Sequence, residues 1–418
     1  KMPVFFPKSA ARYRRLLYAA VMQADFQPDP AKAAEWLKKA VDKETPSAGV
    51  IWAVFLVEGF GVKRNPQEAA RLLRPAAAKG HLGAISALGV LYERGLGVAK
   101  DSKKAREFQQ KAAAEFAPAM FHLGRLHAFG IGGPKDPAEG VVWWKKAADR
   151  TYPRAFRVVG NAYRLGFGVK RDLTTAFDWY RRGAEAGDPG CWTEAGLAYF
   201  HGRGVKRDDA KALASFRRAA DLHDATAVNN LGEMHLNGRG VKADDAQAAK
   251  LFRQAAGLGS PVAMNNLGWM LERGRGVAKS RKEALQWYLR AAEAGYAPAM
   301  HNTGLCYLKG IGVARDARTS VAWFRKAAER GHVPAMLRLG AALAEGAGVA
   351  KDQRRGFDWL LKAAKTGDST GMYMVGVCHE RGTGATKSRR KALEWWRKAA
   401  KAGSKRAADT LKAIEKKR

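Results

Sequence analysis

The chain has 418 residues, and 47% of them are hydrophobic, which is enough to form a packed core. Lys and Arg number 74 against 39 Asp and Glu, so the formal net charge is +35. A folded protein with this excess typically binds a polyanion, most commonly nucleic acid and otherwise an anionic membrane surface. No run of about 18 apolar residues occurs, so no transmembrane segment is expected. Cys191, Cys306 and Cys378 stand far apart, which argues against a disulfide framework or a zinc site and favours a reducing compartment.

The first 24 residues are basic and contain no acidic residue. Their cations are Lys1, Lys8, Arg12, Arg14 and Arg15. With a lysine at the first position, this composition is typical of the mature edge left when an organellar targeting segment is removed. It predicts a location in the mitochondrial matrix, with a cytoplasmic location as the alternative. A solvated basic first helix explains the same residues equally well.

One pattern fills the rest of the chain, because pairs of glycines separated by one residue recur every 36 residues, with one interval of 35. The first glycines of the pairs are Gly59, Gly95, Gly130, Gly166, Gly202, Gly238, Gly274, Gly310, Gly346 and Gly382. Six positions after each stands a residue that can cap the N-terminus of a helix. These residues are Asn65, Asp101, Asp136, Asp172, Asp208, Asp244, Ser280, Asp316, Asp352 and Ser388. The same spacing places a degenerate first repeat at Asp29 and Pro30.

The stretch 263–295 illustrates one repeat. Leu267 and Met270 stand at helical spacing and predict a first helix, which the following glycine pair ends. Ser280 then caps a second helix with Leu285 and Tyr288 in its apolar stripe.

Two further columns repeat with the same period. A glycine stands inside the first helix, six residues before the loop, although a mid-helix glycine costs about 1 kcal/mol. This predicts that another helix crosses closely there. The second helix carries a large apolar residue, which we interpret as core between repeats. These residues are Trp36, Leu72, Phe108, Trp143, Trp179, Leu251, Trp287, Trp323, Trp359 and Trp395.

Helix, loop and helix at a fixed period, with no strand signal, predict an all-α solenoid in which each repeat buries its apolar face against its neighbours. We expect a right-handed superhelix of about eleven helix-loop-helix repeats of 36 residues. Residues 1–24 are assigned to the basic segment and the first helix of the degenerate repeat. Residues 25–403 form the repeat array, and residues 404–418 form a basic C-terminal capping helix.

The pattern Ala-x-x-Asn-Leu-Gly-x-x-[Tyr/Met]-x-x-Gly-x-Gly-Val-x-x-Asp, followed by Lys-Ala-x-x-Trp-[Phe/Tyr]-x-[Lys/Arg]-Ala-Ala-x-x-Gly, resembles the Sel-one-like repeat, a relative of the tetratricopeptide repeat. The clearest copies are 227–259, 263–295 and 299–331, and the resemblance covers residues 25–404. It implies a superhelical scaffold that brings proteins together, with no shared catalytic residues. Some secreted bacterial members carry two cysteines in every repeat, and their absence here argues against that branch.

Basic residues follow the same period. One stands four or five residues after each loop glycine, and stacked repeats would align these cations about 10 Å apart, the spacing of packed helices. They and their neighbours, including cations of the basic C-terminal segment, are our candidates for contact with nucleic-acid phosphates. The candidates are Lys63, Lys100, Lys135, Lys170, Arg171, Lys206, Arg207, Lys242, Lys279, Arg315, Lys351, Lys387, Arg389, Arg390, Lys405 and Arg406. A solvated loop is an equally good explanation of the periodic cations.

A second basic row lies on the second helices, beside the repeated Ala-Ala pair. It includes Lys39, Lys111, Lys146, Arg182, Arg218, Arg290, Lys326, Lys362 and Lys398. Cations near a helix C-terminus gain about 0.3–1 kcal/mol from the helix dipole, which explains this row without a ligand.

The first helices carry a different set of polar residues. Asn230, Asn266, Asn302 and Arg338 are our candidates for contact with a peptide or protein. In a tetratricopeptide-like superhelix this helix lines the concave face, and asparagine there can bond an extended peptide backbone. The repeat pattern also places asparagine before Leu-Gly for local reasons, which explains the same residues.

The sequence contains no recognisable catalytic, metal-binding or cofactor-binding constellation. The glycine pairs follow helices and not strands, which excludes a dinucleotide-binding interpretation. His122 and His127 are five residues apart and face different directions on one helix, so we interpret them as partly buried polar residues. We predict no enzyme activity, no cofactor and no small-molecule substrate.

These observations predict a non-enzymatic scaffold of a large ribonucleoprotein, such as a mitochondrial ribosome, which binds other proteins and contacts RNA phosphates. The alternative is a protein–protein adaptor that binds peptides or an acidic partner on its concave face. A bacterial envelope or membrane-associated protein is a weaker possibility.

Overall fold

The computed structural model describes residues 30–42 and 46–415, so the basic segment 1–24 lies outside the described residues. Within them the chain forms 22 α-helices and no β-strand. The helices are α1 (Pro30–Asp42), α2 (Pro46–Glu58), α3 (Pro66–Ala78), α4 (Leu82–Arg94), α5 (Ser102–Ala112), α6 (Ala117–Phe129), α7 (Pro137–Asp149), α8 (Pro153–Leu165), α9 (Leu173–Glu185), α10 (Pro189–His201), α11 (Asp209–Asp221), α12 (Ala225–Asn237), α13 (Asp245–Gly257), α14 (Pro261–Arg273), α15 (Arg281–Glu293), α16 (Ala297–Lys309), α17 (Ala317–Glu329), α18 (Val333–Glu345), α19 (Gln353–Lys365), α20 (Ser369–Arg381), α21 (Arg389–Lys401) and α22 (Lys405–Glu415).

The helices alternate between two roles. Even-numbered helices from α2 to α20 are the first helices of repeats, here called A helices, and odd-numbered helices are the second helices, here called B helices. Residues up to Asp208 and residues from Asp209 onward form two compact units. Within each unit an A helix packs on the B helix that follows it, and that B helix packs on the next A helix. The predicted all-α solenoid of tandem repeats is therefore confirmed, while its right-handed superhelical sense stays a prediction.

The helices begin and end where the repeated residues require it. At nine predicted capping positions the side chain accepts a hydrogen bond from the first turn of the B helix, as Ser280 Oγ does from the N–H of Glu283. Each A helix from α4 to α20 ends on a loop glycine in the left-handed conformation, such as Gly274 with φ of 71°. The predicted boundaries are confirmed because both signals act locally.

The second loop glycine brings neighbouring repeats into direct contact. A Cβ atom on Gly276 would lie 2.1 Å from the carbonyl oxygen of Asp245, the first residue of the preceding B helix. Only glycine permits this approach. The same contact recurs at Gly204 and Leu173, so each loop lies on the first turn of the previous B helix. The loops of one unit are therefore stacked along one edge, here called the loop edge.

In most A helices the interior glycine faces a ring of its own repeat, whereas Gly340 faces Leu360 and Gly89 faces Gln109. A Cβ atom on Gly268 would lie 2.9 Å from ring carbons of Tyr288 and 3.1 Å from the carbonyl oxygen of Ala284. Both the ring and the backbone of α15 therefore require glycine here. The close helix crossing predicted from this column is confirmed.

The predicted core column is confirmed in part, because Leu251 is buried and most of the other members pack against the core, but the deepest side chains stand one position later. The residues that follow it are the fully buried ones, and they are Trp144, Tyr180, Phe216, Phe252, Tyr288, Phe324, Leu360 and Trp396. The predicted tryptophans Trp143, Trp179, Trp323, Trp359 and Trp395 are half-buried and pack at the margin of the core, and Trp287 is half-buried as well. Trp36 is 67% exposed and is not core at all. One residue turns a helix by about 100°, and this rotation separates the buried ring from the marginal one.

The last helix lies on the end of the array. Ala407 of α22 is buried in the cluster that contains Trp396, and Leu411 and Ile414 pack against it. The division of the chain at residues 24 and 403 stays a prediction.

Candidate functional site

All ten periodic loop cations are exposed on the loop edges of the two units. The other six nucleic-acid candidates, Arg171, Arg207, Arg389, Arg390, Lys405 and Arg406, are exposed as well. None of the ten periodic cations forms an ion pair with a carboxylate in the part of the chain that the structure describes. Arg389 and Arg390 differ, since they pair with Glu380 and Glu394. The loop edge therefore presents charge that the fold itself does not neutralise.

Cations at the middle position of the Gly-x-Gly loops behave differently. Arg239 donates from Nη2 to Asp209 Oδ1 at 2.6 Å, and Arg275 donates from Nε to Asp245 Oδ2 at 2.7 Å. Each aspartate is the first residue of the preceding B helix, which the loop touches. These ion pairs are half-exposed and contribute little to stability, since such pairs are typically worth about 0–1 kcal/mol.

The second basic row is engaged with the half-buried tryptophans. The Nζ of Lys146 lies 4.1 Å from the centre of the Trp143 ring, and the guanidinium of Arg290 lies 4.8 Å from that of Trp287. The same stack joins Lys39 to Trp36, Arg182 to Trp179, Lys326 to Trp323, Lys362 to Trp359 and Lys398 to Trp395. A cation over an indole face is attracted by the ring quadrupole and covers apolar surface that would otherwise meet water. Seven of the nine cations of this row therefore have a role within their own helix.

The A helices are tied to one another by asparagine side chains. Asn266 Nδ2 donates to Asn229 Oδ1 at 3.0 Å, and Asn302 Nδ2 donates to Asn265 Oδ1 at 2.8 Å. Two of the peptide-contact candidates thus already hold neighbouring repeats together. Asn230 is half-buried, and its Nδ2 atom is buried with no hydrogen-bond partner among the described residues.

Arg338 is exposed on α18 and remains available to a partner.

Two arginines surround an aromatic ring at the end of another A helix, and no periodic column of the sequence predicted this cluster. The half-buried indole of Trp269 lies 4.9 Å from the guanidinium of Arg273 and 5.6 Å from that of Arg275. Tryptophan and arginine are the residues most enriched at protein-binding hot spots.

Histidines of the A helices are buried among cations. Burial, reinforced by the nearby Arg125, lowers the pKa of His122 well below its ordinary value. Burial, reinforced by His332, lowers the pKa of His301 to about 4. His127 is half-buried, as predicted, and one of its ring nitrogens lies 2.8 Å from Arg106 Nη2. These histidines are neutral near pH 7.

The three cysteines are buried, and burial makes their thiols unreactive. Cys191, Cys306 and Cys378 are buried free thiols on three different A helices. Burial raises the pKa of all three, that of Cys306 to about 12, so the reactive thiolate is disfavoured. Among the described residues no group of three His, Cys, Asp or Glu could hold a metal ion, and no helix is long and apolar enough to cross a membrane.

Comparison with protein families identifies the repeat. A model of the Sel1 repeat matches eleven segments of the chain. The segments are 24–44, 52–81, 83–115, 117–152, 158–188, 194–224, 225–260, 261–296, 297–332, 333–368 and 369–404. The chain belongs to the Sel1 repeat family. The Sel1 repeats number eleven with the degenerate first one, as predicted from the glycine spacing.

Two solved structures and one curated protein are similar to this Sel1 repeat chain. The protective antigen c5321 of uropathogenic Escherichia coli is 29% identical, with a TM-score of 0.53, over 92% of this chain and 90% of the antigen. A Sel1 repeat protein from Oxalobacter formigenes is 33% identical, with a TM-score of 0.52, over 74% of this chain and 89% of that one. The chitin synthase regulator SKT5 of Saccharomyces cerevisiae is 33% identical over 136 residues, which are 31% of this chain and only 20% of the regulator.

Membership in the family gives the broad role of the repeat array. Sel1 repeat proteins are generally scaffolds and adaptors, and this chain is a Sel1 repeat scaffold for protein–protein interaction. The repeat itself does not identify the partner.

Proposed function

We propose that this Sel1 repeat protein is a non-catalytic scaffold that binds proteins and contacts RNA phosphates along its loop edges, as a subunit of a large ribonucleoprotein. The observation that supports this proposal is the set of ten exposed loop cations without carboxylate partners in the described part of the chain. Phosphate contacts of this kind need no base recognition, since regularly spaced cations follow the backbone charge. A mitochondrial ribosome and a location in the mitochondrial matrix belong to the same proposal.

The experiment compares two variants that remove the same charge. Lys279→Gln, Arg315→Gln and Lys351→Gln together neutralise three loop cations. Their matched control replaces three cations that stack on tryptophans, Arg290, Lys326 and Lys362, with glutamine. RNA binding is measured by fluorescence anisotropy with a structured RNA over a series of salt concentrations.

The loop variant is expected to lose at least about tenfold in affinity and about three units of salt slope, because each phosphate contact contributes about one unit. The control variant should retain most of its RNA affinity and most of its salt slope, since its cations are engaged with their own helices. Equal losses in the two variants would mean that net charge alone attracts RNA, and the proposal would fail. It would also fail if the wild-type protein shows no salt-sensitive RNA binding near physiological ionic strength.

The alternative is an adaptor whose A helices bind a peptide or an acidic protein. The cluster of Trp269 with Arg273 and Arg275 favours it, because an indole flanked by guanidinium groups resembles a protein-binding hot spot. Trp269→Ala, combined with Arg338→Ala, would then abolish capture of the partner protein after RNase treatment. The loop variant described above would leave that capture intact.

A further inference from the structure

One loop arginine lacks the carboxylate that its counterparts have. Arg203 occupies the same loop position as Arg239 and Arg275, and its loop touches the first residue of the preceding B helix in the same way. That residue is Leu173, where the two later repeats have aspartate. The side chain of Arg203 forms no ion pair or hydrogen bond with any residue that the structure describes.

Two more arginines reach the same place. Arg164, Arg171 and Arg203 line one open cleft of about 380 Å³, together with Leu165 and Leu173. Ligand sites in proteins typically have volumes of about 300–1,000 Å³. All five residues belong to the unit that ends at Asp208.

Arg164 is held in a fixed position. Its Nη2 donates to Asn161 Oδ1 at 2.9 Å, and its Nε lies 3.2 Å from the hydroxyl oxygen of Tyr180. Tyr180 donates in turn to Asn161 Oδ1 at 2.9 Å. Burial, reinforced by the nearby Glu194, raises the pKa of Tyr180 to about 12, so the hydroxyl stays protonated. A guanidinium held this way loses little conformational freedom when it binds a ligand.

The charge of the cleft and its two adjoining pockets is positive. Arg164, Lys170, Arg171 and Arg203 face two carboxylates, those of Asp172 and Glu194. Asp172 is engaged with its own helix, because Oδ1 accepts the N–H groups of Thr174 and Thr175 and Oδ2 accepts the hydroxyl of Thr175. These bonds lower the pKa of Asp172 and keep its carboxylate turned to the start of α9. Glu194 lines the inner end of the cleft, beside Tyr180.

We propose that Arg164, Arg171 and Arg203 form a binding site for a phosphomonoester, such as the phosphate of a phosphorylated side chain. A single carboxylate satisfies the equivalent arginine in the later repeats, whereas here three guanidinium groups share one cleft. A phosphomonoester near neutral pH carries a charge of about −1.5 to −2 and has three acceptor oxygens, which suits several arginines at once. The site lies in the first unit, and it does not depend on RNA binding by the loop edge.

The test uses the full chain and three probes at about 0.15 M salt. The probes are a short neutral peptide with one phosphoserine, the same peptide without phosphate, and inorganic phosphate. Binding is measured by isothermal titration calorimetry. The phosphopeptide should bind saturably and the unmodified peptide should not. Its affinity should fall as the pH is lowered from about 7 to about 5, because the second pKa of phosphoserine is near 6.

Three variants test the residues. Arg203→Gln should lose about tenfold or more in affinity, in line with the loss of one charge-assisted hydrogen bond. Arg275→Gln is the matched control, since that arginine is already paired with Asp245, and its affinity should equal that of the wild type. Leu173→Asp should place a carboxylate against Arg203, as in the later repeats. That variant should abolish binding without lowering the melting temperature, which separates loss of the site from loss of the fold.

The proposal is overturned if the phosphopeptide does not bind, if Leu173→Asp binds like the wild type, or if Arg275→Gln loses as much as Arg203→Gln. Tighter binding of the phosphopeptide than of inorganic phosphate assigns the site to a phosphorylated partner protein. Equal binding assigns it to a free phosphate, and both results support the chemistry of the site. Leu173→Asp removes no loop cation, so comparing its RNA binding with that of the triple loop variant shows whether loss of the phosphate site and loss of RNA binding are separate effects.

Discussion

At the scale of single residues, most repeats are built around one glycine and the large side chain that lies against it. Gly268 and Tyr288 are representative, because the ring and the neighbouring carbonyl leave no room for a methyl group. The glycine could be found from sequence because it recurs at a fixed interval. The sequence also placed Tyr288 in the apolar stripe of α15, but only packing decides which of the two adjacent rings, Trp287 or Tyr288, lies against the glycine.

Gly268→Ala is expected to destabilise the protein by about 1–3 kcal/mol, the usual range for an over-packed core. Helix propensity alone predicts the opposite, a gain of about 1 kcal/mol. Gly257→Ala is the matched control, because a Cβ atom at this position of α13 would meet nothing within 4 Å. Unfolding in urea, followed by circular dichroism, measures both. The packing explanation fails if the two substitutions raise the midpoint alike.

At the scale of helices, polar side chains link one repeat to the next. The bonds from Asn266 to Asn229 and from Asn302 to Asn265 join residues 37 positions apart on neighbouring A helices. Asparagine in the repeat pattern has two explanations from sequence, a local role and a peptide contact. The structure adds a third, because the amides of adjacent repeats bond directly.

Asn302→Ala is expected to cost about 0.5–1.5 kcal/mol, the usual net value of a hydrogen bond. Asn230→Ala occupies the same position of an earlier repeat, where Nδ2 has no hydrogen-bond partner among the described residues. This substitution breaks no such bond and removes a buried donor that has no partner, so it should destabilise the protein less than Asn302→Ala does, or not at all. Chemical denaturation of the two variants side by side checks the difference. An equal effect of both substitutions would show that the bond between repeats contributes nothing measurable.

At the scale of the whole molecule, buried neutral histidines make stability depend on pH. His301 has a pKa of about 4 in the folded protein, because it is partly buried beside His332 and Arg338. In the unfolded chain its pKa is near 6.5, so the unfolded state binds more protons between about pH 6.5 and 4. The free energy of unfolding should therefore decrease as the pH falls through this window. His122, with its lowered pKa, acts in the same direction.

His301→Gln should make the melting temperature less sensitive to pH between 7 and 4.5. Between these pH values the free energy of unfolding should change by about 1 kcal/mol less in the variant than in the wild type. This is smaller than the full pKa shift implies, because solvent screens a partly buried ring. Carboxylates with lowered pKa, such as Asp172 and Asp316, titrate below this window and should not mask the effect. Thermal melts at several pH values measure the slope. If the melting temperature of the variant depends on pH as steeply as that of the wild type, His301 is not a source of the pH dependence.

The sequence by itself determined the period, the helix boundaries, the caps and the family, because each depends on residues close in the chain and repeats many times. It also located the cations. Only the tertiary structure decided which polar groups are already engaged. Stacking on tryptophan occupies Arg290, a bond to Asn265 occupies Asn302, and an aspartate satisfies Arg275 while Arg203 faces a leucine. The asparagine bond and the contacts of the two loop arginines join residues at least 30 positions apart, which meet only when repeats stack.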